Sequence, residues 1–214
     1  MDPHIPHDDH PDLAELADAG KVVAYFGYGS LVNRYTLRTK FLGIRRARAG
    51  GWRRFWLPRV PASEMALLSV HPDPDESIDG VVVYDRTEHL PAVDEREAGY
   101  ARRIVDLDHL GIERAPVGGV PIYIYQAPKG DVSAADTKSV ILQSYLDAVM
   151  QGFRLLYGDE GVQRFVAHTE GFETRVLRDR HAPRYPRPVK LERDEAELFD
   201  WLVLARGVTF VDHV

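Results

Sequence analysis

The feature that most constrains the fold is one long amphipathic helix in the second half of the chain. Apolar residues recur there at spacings of 4, 3, 4 and 3, so they lie on one face of a helix. These residues are Leu142, Leu146, Val149, Phe153 and Leu156, and Gly158 is expected to end the helix. Strand-like runs concentrate before residue 126 and helical patterns after it. This segregation favours an α+β fold over a regular alternation of strands and helices.

The composition is that of an ordinary globular chain. It has 214 residues, of which 44% are hydrophobic and 28% charged, with a formal net charge of -6. We expect one domain over residues 21–214, preceded by a flexible tail over residues 1–20. The absence of cysteine excludes disulfides, thiolate metal sites and a cysteine nucleophile. No leader-like segment or membrane-length apolar run is present, so a cytoplasmic protein without a membrane partner is expected.

Local patterns predict the other elements. Strands are expected over 22–26, 44–59, 65–70, 80–84 and 120–126, with a proline- and aspartate-rich turn over 71–79. Helices are expected over 91–100, 159–168 and 194–206, and an extended or looped segment over 178–188.

The first chemically suggestive feature is the loop Tyr28-Gly29-Ser30-Leu31, which follows a buried strand ending at Gly27. Two glycines one residue apart allow a sharp turn and a close approach to a ligand. Consecutive N–H groups and the Ser30 hydroxyl form a concavity suited to an anion. The spacing fits neither a dinucleotide fingerprint nor a phosphate loop. By itself it is equally typical of a tight turn after a strand.

The second feature is a carboxylate in an apolar position. On the predicted helix 91–100, Glu97 shares a face with Leu90, Val93 and Tyr100, while Arg96 is expected to point elsewhere. Burial there would raise the pKa of Glu97 toward the range useful for general acid–base catalysis. The alternative is a partly exposed Glu97 paired with an arginine.

Taken in order, the loop and the segment Arg96-Glu97-Ala98-Gly99-Tyr100 resemble the γ-glutamylcyclotransferase family, in particular its bacterial and glutathione-specific (ChaC-like) branches. The resemblance covers mainly residues 22–126. It implies a small mixed β-barrel with surrounding helices and a helical C-terminal extension. It also implies a lyase that converts a γ-glutamyl amide or peptide to 5-oxoproline, with Glu97 as the general acid–base.

The resemblance further implies that Tyr28, Gly29, Ser30 and Leu31 bind the substrate, joined by a tyrosine on a late strand. Tyr123 and Tyr125 lie two residues apart, so both face one side of such a strand. Tyr185, flanked by prolines near Arg187, is a further candidate for the substrate site. The cyclisation requires no metal and no cofactor, because the substrate supplies its own amine nucleophile.

Two other functions stay open on the sequence. The domain could bind γ-glutamyl metabolites without turning them over. Alternatively, the arginines of residues 45–59, which alternate with aromatic residues, could form a surface for single-stranded nucleic acid. A strand with one solvent-exposed arginine face and aromatic packing on the other is the simpler explanation of this alternation. The six arginines are Arg45, Arg46, Arg48, Arg53, Arg54 and Arg59.

Overall fold

A computed structural model describes residues 9–37, 40–58, 65–127, 129–130 and 134–213. The strands are β1 (Val22–Gly27), β2 (Gly43–Pro58), β3 (Ala66–Arg86), β4 (Ala101–Ile104), β5 (Leu110–Ile112), β6 (Ile122–Gln126), β7 (Ile141–Leu142), β8 (Thr169–Glu170), β9 (Val176–Leu177) and β10 (Phe210–Val211). The α-helices are α1 (Leu13–Asp18), α2 (Leu90–Arg96), α3 (Gln143–Ala167) and α4 (Arg193–Ala205). Short 3-10 helices cover Ser30–Val32, Arg34–Thr36, Thr87–His89 and Leu107–His109.

The main sheet is mixed and has the strand order β4-β6-β1-β3-β2-β5, with β8 also paired to β2. The strand β1 runs antiparallel to β3 and parallel to β6, and every one of its residues is buried. A second, three-stranded sheet has the order β10-β9-β7. The expected α+β class is confirmed, and the closure of the main sheet into a barrel stays a prediction.

The strands β2 and β3 form one long antiparallel ribbon, so the turn expected over 71–79 is wrong. Their register runs from Gly43↔Tyr84 to Pro58↔Ala66 and shifts between Gly50 and Trp52. This irregularity accommodates the proline- and aspartate-rich stretch within the ribbon. Two ion pairs hold that stretch, because Arg53 contacts Asp73 at 2.7 Å and Glu76 at 2.6 Å across the strands.

The helix expected over 91–100 is also shorter than predicted. The helix α2 ends at Arg96, and Glu97 is its C-terminal cap residue, with φ -96° and ψ 26°. The chain then turns through Gly99, whose φ of +92° favours glycine, and enters β4. Helical spacing therefore does not describe the directions of side chains from residue 97 onward.

The long helix α3 is broken at Gly158, as predicted, where φ is 67° and ψ is -169°. Its polar face is buried as well as its apolar face, because the segment 178–189 covers it. Ser144 donates to Asp179 at 2.6 Å, and Arg180 makes a bidentate ion pair with Asp147 at 2.8 and 2.9 Å. The expected looped course of the segment 178–188 thus has a structural role.

The predicted flexible tail contains ordered structure in its described part. The helix α1 buries Leu13 against the core, and Asp9 pairs with Arg45 at 2.8 Å. Residues 1–8 lie outside the described residues. The error arose because a six-residue helix has too short a pattern to recognise in a polar stretch.

None of the described helices is long and apolar enough to span a membrane.

Candidate functional site

The loop of residues 28–31 folds back sharply on the end of β1, and two glycines make this course possible. A Cβ atom at Gly27 would lie 2.6 Å from the Cβ atom of Leu31, which is closer than such atoms approach. A Cβ atom at Gly29 would lie 3.2 Å from the Tyr145 hydroxyl oxygen. The helix Ser30–Val32 starts immediately after Gly29, and the first N–H groups of a helix have no partners within it.

This loop and Glu97 line one pocket of about 40 Å³. The volume is enough for a few water molecules. Aromatic and apolar side chains from β1, β3, β6 and α3 complete the wall: Phe26, Leu68, Tyr125 and Tyr145. The structure therefore brings together two motifs that lie far apart in the sequence.

Arg96 links Glu97 to the loop, contrary to the expectation that it points elsewhere. Its Nε atom lies 3.2 Å from Glu97 Oε1, and one of its terminal nitrogens donates to Ser30 Oγ at 2.9 Å. The prediction failed because Arg96 follows the buried Val93 by three residues on α2, so helical spacing places both on the same side. The sequence indicated this contact only in that Arg96 directly precedes Glu97 and carries the opposite charge.

The electrostatic environment of Glu97 is largely apolar and aromatic. Its side chain is 19% exposed, and burial raises the pKa of Glu97 above its ordinary value of 4.5. The positive charges of Arg96 and Arg187 oppose this effect and only partly cancel it. Glu97 is therefore a carboxylate that holds a proton more readily than one in water, which suits it to accept and return one.

The three additional tyrosines named from the sequence occupy different places. Tyr125 lines the pocket and donates to Asp94 Oδ1 at 2.7 Å. Tyr123, on the same strand, lies outside the pocket lining, with its ring 5.4 Å from the Arg102 guanidinium. Tyr185 packs on Tyr145 with 5.0 Å between ring centroids, so it supports the pocket wall from behind.

Arg54 is a site residue that the sequence analysis did not identify. It is 1% exposed, and its guanidinium lies 4.9 Å from the ring centres of both Phe153 and Phe165. It donates to the backbone carbonyl of Tyr28 at 3.2 Å, which anchors the start of the loop from below. Burial lowers the pKa of Arg54 to about 10. The sequence contained one indication that an arginine is buried here. Arg53 and Arg54 are adjacent on a strand, and adjacent residues of a strand face opposite sides, so one of the two points inward.

The remaining described arginines of residues 45–59 are engaged by acidic or polar partners. Arg45 is buried and pairs with Asp9 at 2.8 Å, and Arg48 donates to Ser77 Oγ at 2.8 Å. Arg46 pairs with Glu113. Arg59 lies outside the described residues. These arginines therefore do not form the single solvent-exposed face that the alternation of arginine and aromatic residues predicted.

A larger cavity of about 1010 Å³ lies elsewhere, beside the break in α3 and the start of α4. None of the loop residues 28–31 lines it. Its lining is acidic, with two cationic residues against five carboxylates, and Arg154 pairs with Asp159 at 2.9 Å and with Asp194 at 2.8 Å. The smaller pocket is the one in which Glu97 and the loop of residues 28–31 meet.

Comparisons with known proteins agree with this fold. No curated protein sequence matches the chain significantly. Among solved structures, a gamma-glutamyl cyclotransferase superposes with a TM-score of 0.54 at 13% identity, covering 85% of this chain and 99% of the other. An uncharacterized human protein gives 0.51 at 15% identity, covering 84% and 99%. YkqA from Bacillus subtilis gives 0.52 at 15% identity, covering 72% and 56%.

At these identities the likeness to solved structures establishes the fold alone. The family profile described as gamma-glutamyl cyclotransferase, AIG2-like, matches residues 25–144, which is more than half of the chain. That stretch contains the loop of residues 28–31 and Glu97. The chain belongs to the AIG2-like gamma-glutamyl cyclotransferase family.

Proposed function

We propose that this protein is a γ-glutamylcyclotransferase-like lyase that releases 5-oxoproline and an amine from a γ-glutamyl amide or peptide. The observation that carries the proposal is the position of Glu97. A carboxylate of raised pKa faces the loop of residues 28–31 across one small pocket, in a chain of this family.

The proposed reaction is an intramolecular displacement. At neutral pH the substrate's α-amine is an ammonium, so it has to lose a proton before it can attack. Glu97 accepts that proton, and the freed nitrogen forms a bond to the γ-carbonyl carbon. The bond from that carbon to the leaving nitrogen then breaks, and Glu97 returns a proton to the departing amine. The attacking nitrogen loses its second proton as the ring amide forms, and the released amine takes up that proton and becomes an ammonium. Atoms balance without water, because the nucleophile and the electrophile belong to one molecule.

The loop orients the substrate in this scheme. The first N–H groups of the helix Ser30–Val32, together with Arg96 beside Ser30, provide hydrogen-bond donors and positive charge for the α-carboxylate. Holding the amine near the γ-carbonyl supplies much of the acceleration, since the step is already intramolecular. The γ-glutamyl group is larger than the 40 Å³ pocket, so the proposal requires Tyr145 or Leu68 to move on binding.

The test is the release of 5-oxoproline from glutathione, γ-glutamyl-alanine and a γ-glutamylamine, with the wild type and Glu97→Gln measured in parallel. We expect the wild type to turn over at least one substrate and Glu97→Gln to lose at least 100-fold in kcat, since general acid–base catalysis contributes about 10²–10⁴-fold. The acid limb of kcat/KM should lie above pH 4.5, because Glu97 has to be ionised to act as the base and its pKa is raised.

Glu88→Gln is the matched control, because its side chain is 73% exposed and lies outside the pocket lining. It should retain wild-type turnover. Equal turnover by Glu97→Gln would refute the assignment of Glu97. A folded wild type that releases no 5-oxoproline from any of the substrates would refute the lyase.

One observation favours a second candidate function. The contact between Arg96 and Glu97 is what a non-catalytic binding module would use to hold an ionised carboxylate in place. Calorimetric binding of γ-glutamyl-alanine by a folded wild type without turnover would identify such a module. The raised pKa of Glu97 favours the lyase, because a purely structural ion pair would lower it.

A further inference from the structure

A second cavity of about 320 Å³ adjoins the pocket that holds Glu97. Leu31 lines both, and Arg96 lines the second cavity while contacting Glu97 at the edge of the first. The second cavity, here called the Arg187 cavity, also has apolar walls, which Leu37 and Val93 contribute. Its volume suits a group of amino-acid or dipeptide size, and nothing in the proposed cyclisation uses it.

The charged groups that line this cavity are Arg96, Arg187 and Glu95. Arg96 is committed to Glu97 and Ser30. Arg187 has no carboxylate within 4 Å among the residues that the structure describes. Its Nε atom donates to the Tyr185 hydroxyl at 3.1 Å, and its guanidinium lies 5.3 Å from the centre of that ring. A half-buried guanidinium with only a neutral partner is available to an anionic ligand.

The fold places Arg187 beside the reaction site by a series of packed contacts. Tyr185, which holds Arg187, packs on Tyr145, and Tyr145 lines the Glu97 pocket. The charge of Arg187 is near enough to lower the pKa of Glu97. Arg187 therefore lies near Glu97 and lines a cavity that adjoins the Glu97 pocket.

The segment that carries Arg187 is held in place by contacts of the residues that precede it. Asp179 accepts from the Ser144 hydroxyl at 2.6 Å and from the backbone N–H of Arg184 at 2.9 Å. Arg180 is held by Asp147 and also by Asp200, the latter at 2.7 Å. A guanidinium delivered on such an anchored segment is more pre-organised than one on a free loop.

We propose that the Arg187 cavity binds the leaving-amine part of the substrate and that Arg187 binds a carboxylate on it. This inference rests on the proposed function and names its substrate class. The substrates are γ-glutamyl amino acids or peptides whose leaving amine carries a carboxylate, rather than γ-glutamylamines without one.

The test compares γ-glutamyl-alanine with γ-glutamyl-alaninamide, which differ in one charge and hardly in size. We expect the kcat/KM of the wild type to be roughly tenfold or more higher for the carboxylate substrate, because only that substrate forms a charge-assisted hydrogen bond with Arg187. Arg187→Met should bring the ratio close to one, and Arg187→Lys should restore part of it. Arg184→Met, an exposed arginine of the same segment, should keep the wild-type ratio.

The outcomes separate this inference from the proposed function. If the wild type turns over both substrates equally, or if the preference survives in Arg187→Met with an unchanged Tm, the Arg187 role is wrong and the lyase stands. If neither compound is turned over, turnover of glutathione and of the γ-glutamylamine decides the lyase, and calorimetric Kd values for the same two compounds decide the Arg187 role. A difference between the two Kd values that Arg187→Met abolishes supports the Arg187 role, whereas equal affinity for the two compounds or no binding overturns it.

Discussion

At the scale of a single residue, the burial of Glu97 both raises the pKa of its carboxyl group and destabilises the folded state in which that group is ionised. A carboxylate in water would ionise near pH 4.5, but burial among Tyr28, Tyr125 and Tyr145 disfavours the charge. Arg96 supplies only partial compensation at 3.2 Å. The group that the proposed reaction requires is therefore one that the folded state prefers to keep protonated.

This preference predicts the pH dependence of stability. Below pH 4.5, Glu97 is protonated in both the folded and the unfolded chain, and its contribution is fully present. As pH rises through the raised folded pKa that contribution is lost, because the unfolded chain ionises more easily. The free energy of unfolding of Glu97→Gln minus that of the wild type should therefore increase with pH, by about 1.4 kcal/mol for each pKa unit that separates the two states.

Urea denaturation of both proteins between about pH 4 and pH 8 measures this difference. Glu88→Gln, at an exposed position, serves again as the control. A flat difference would mean that folding leaves the pKa of Glu97 unchanged, whereas a difference that falls with pH would mean that Glu97 is stabilised as the anion. That result would favour the binding module over the lyase.

At the scale of elements, the site depends on how closely α3 approaches the loop after β1. Asn33 donates to the carbonyl of Ala148 at 2.9 Å and to Gln151 Oε1 at 3.1 Å, so the end of the loop is attached to the helix. Gly152 allows this approach, since a Cβ atom there would lie 2.7 Å from the backbone nitrogen of Asn33.

Gly152→Ala should destabilise the protein despite improving the helix. Alanine favours a helix interior by about 1 kcal/mol over glycine, but the overlap with backbone atoms cannot be relieved by a side-chain rotation. We expect a net loss of about 1–3 kcal/mol in the free energy of unfolding, measured by urea denaturation. Gly118→Ala is the control, because a Cβ atom there meets no heavy atom within 4 Å. A stabilised Gly152→Ala would contradict the close approach.

The pair of Asp147 and Arg180 makes the second element-scale prediction. Asp147 is buried, and desolvation raises its pKa to about 6 even though Arg180 opposes the shift. Arg180→Met would leave this carboxylate without its partner and should cost about 3–5 kcal/mol of unfolding free energy. The double variant Asp147→Asn with Arg180→Met should recover part of the loss. Full additivity of the two single changes in a double-mutant cycle would show that the pair does not couple.

At the scale of the whole molecule, the distribution of charge argues against nucleic acid as a partner. The net charge is -6, and the arginines of residues 45–59 that the structure describes are buried or engaged by partners such as Asp9, Asp73 and Glu113. Few of these charges are left to replace the counterions of a phosphate backbone.

We therefore expect no salt-dependent binding of single-stranded oligonucleotides. In fluorescence anisotropy at physiological salt, the Kd should be weaker than about 100 μM, the upper end of ordinary non-specific binding. Tighter binding that falls steeply as salt is raised would restore the nucleic-acid hypothesis. The double variant Arg46→Gln with Arg48→Gln would then show whether this face is responsible.

The sequence alone was sufficient for the features that depend on neighbouring residues. The buried strand β1, the break of α3 at Gly158 and the helix α4 all follow from local periodicity and backbone preference. The glycine loop and the segment containing Glu97 were recognisable as motifs in order, and they indicated the family. Each of these signals is carried by residues close together in the chain, which is why it could be read without coordinates.

Only the tertiary structure decided which side chains meet. Arg96 contacts Ser30 because the last turn of α2 lies beside the loop that follows β1, a segment some 65 residues earlier in the chain. Arg54 is buried beneath Tyr28 because α3 covers that face of β2. Arg187 reaches the site because Asp179 and Arg180 anchor its segment to α3. The stability of such contacts comes from burial and charge pairing between distant segments, which no local pattern in the sequence records.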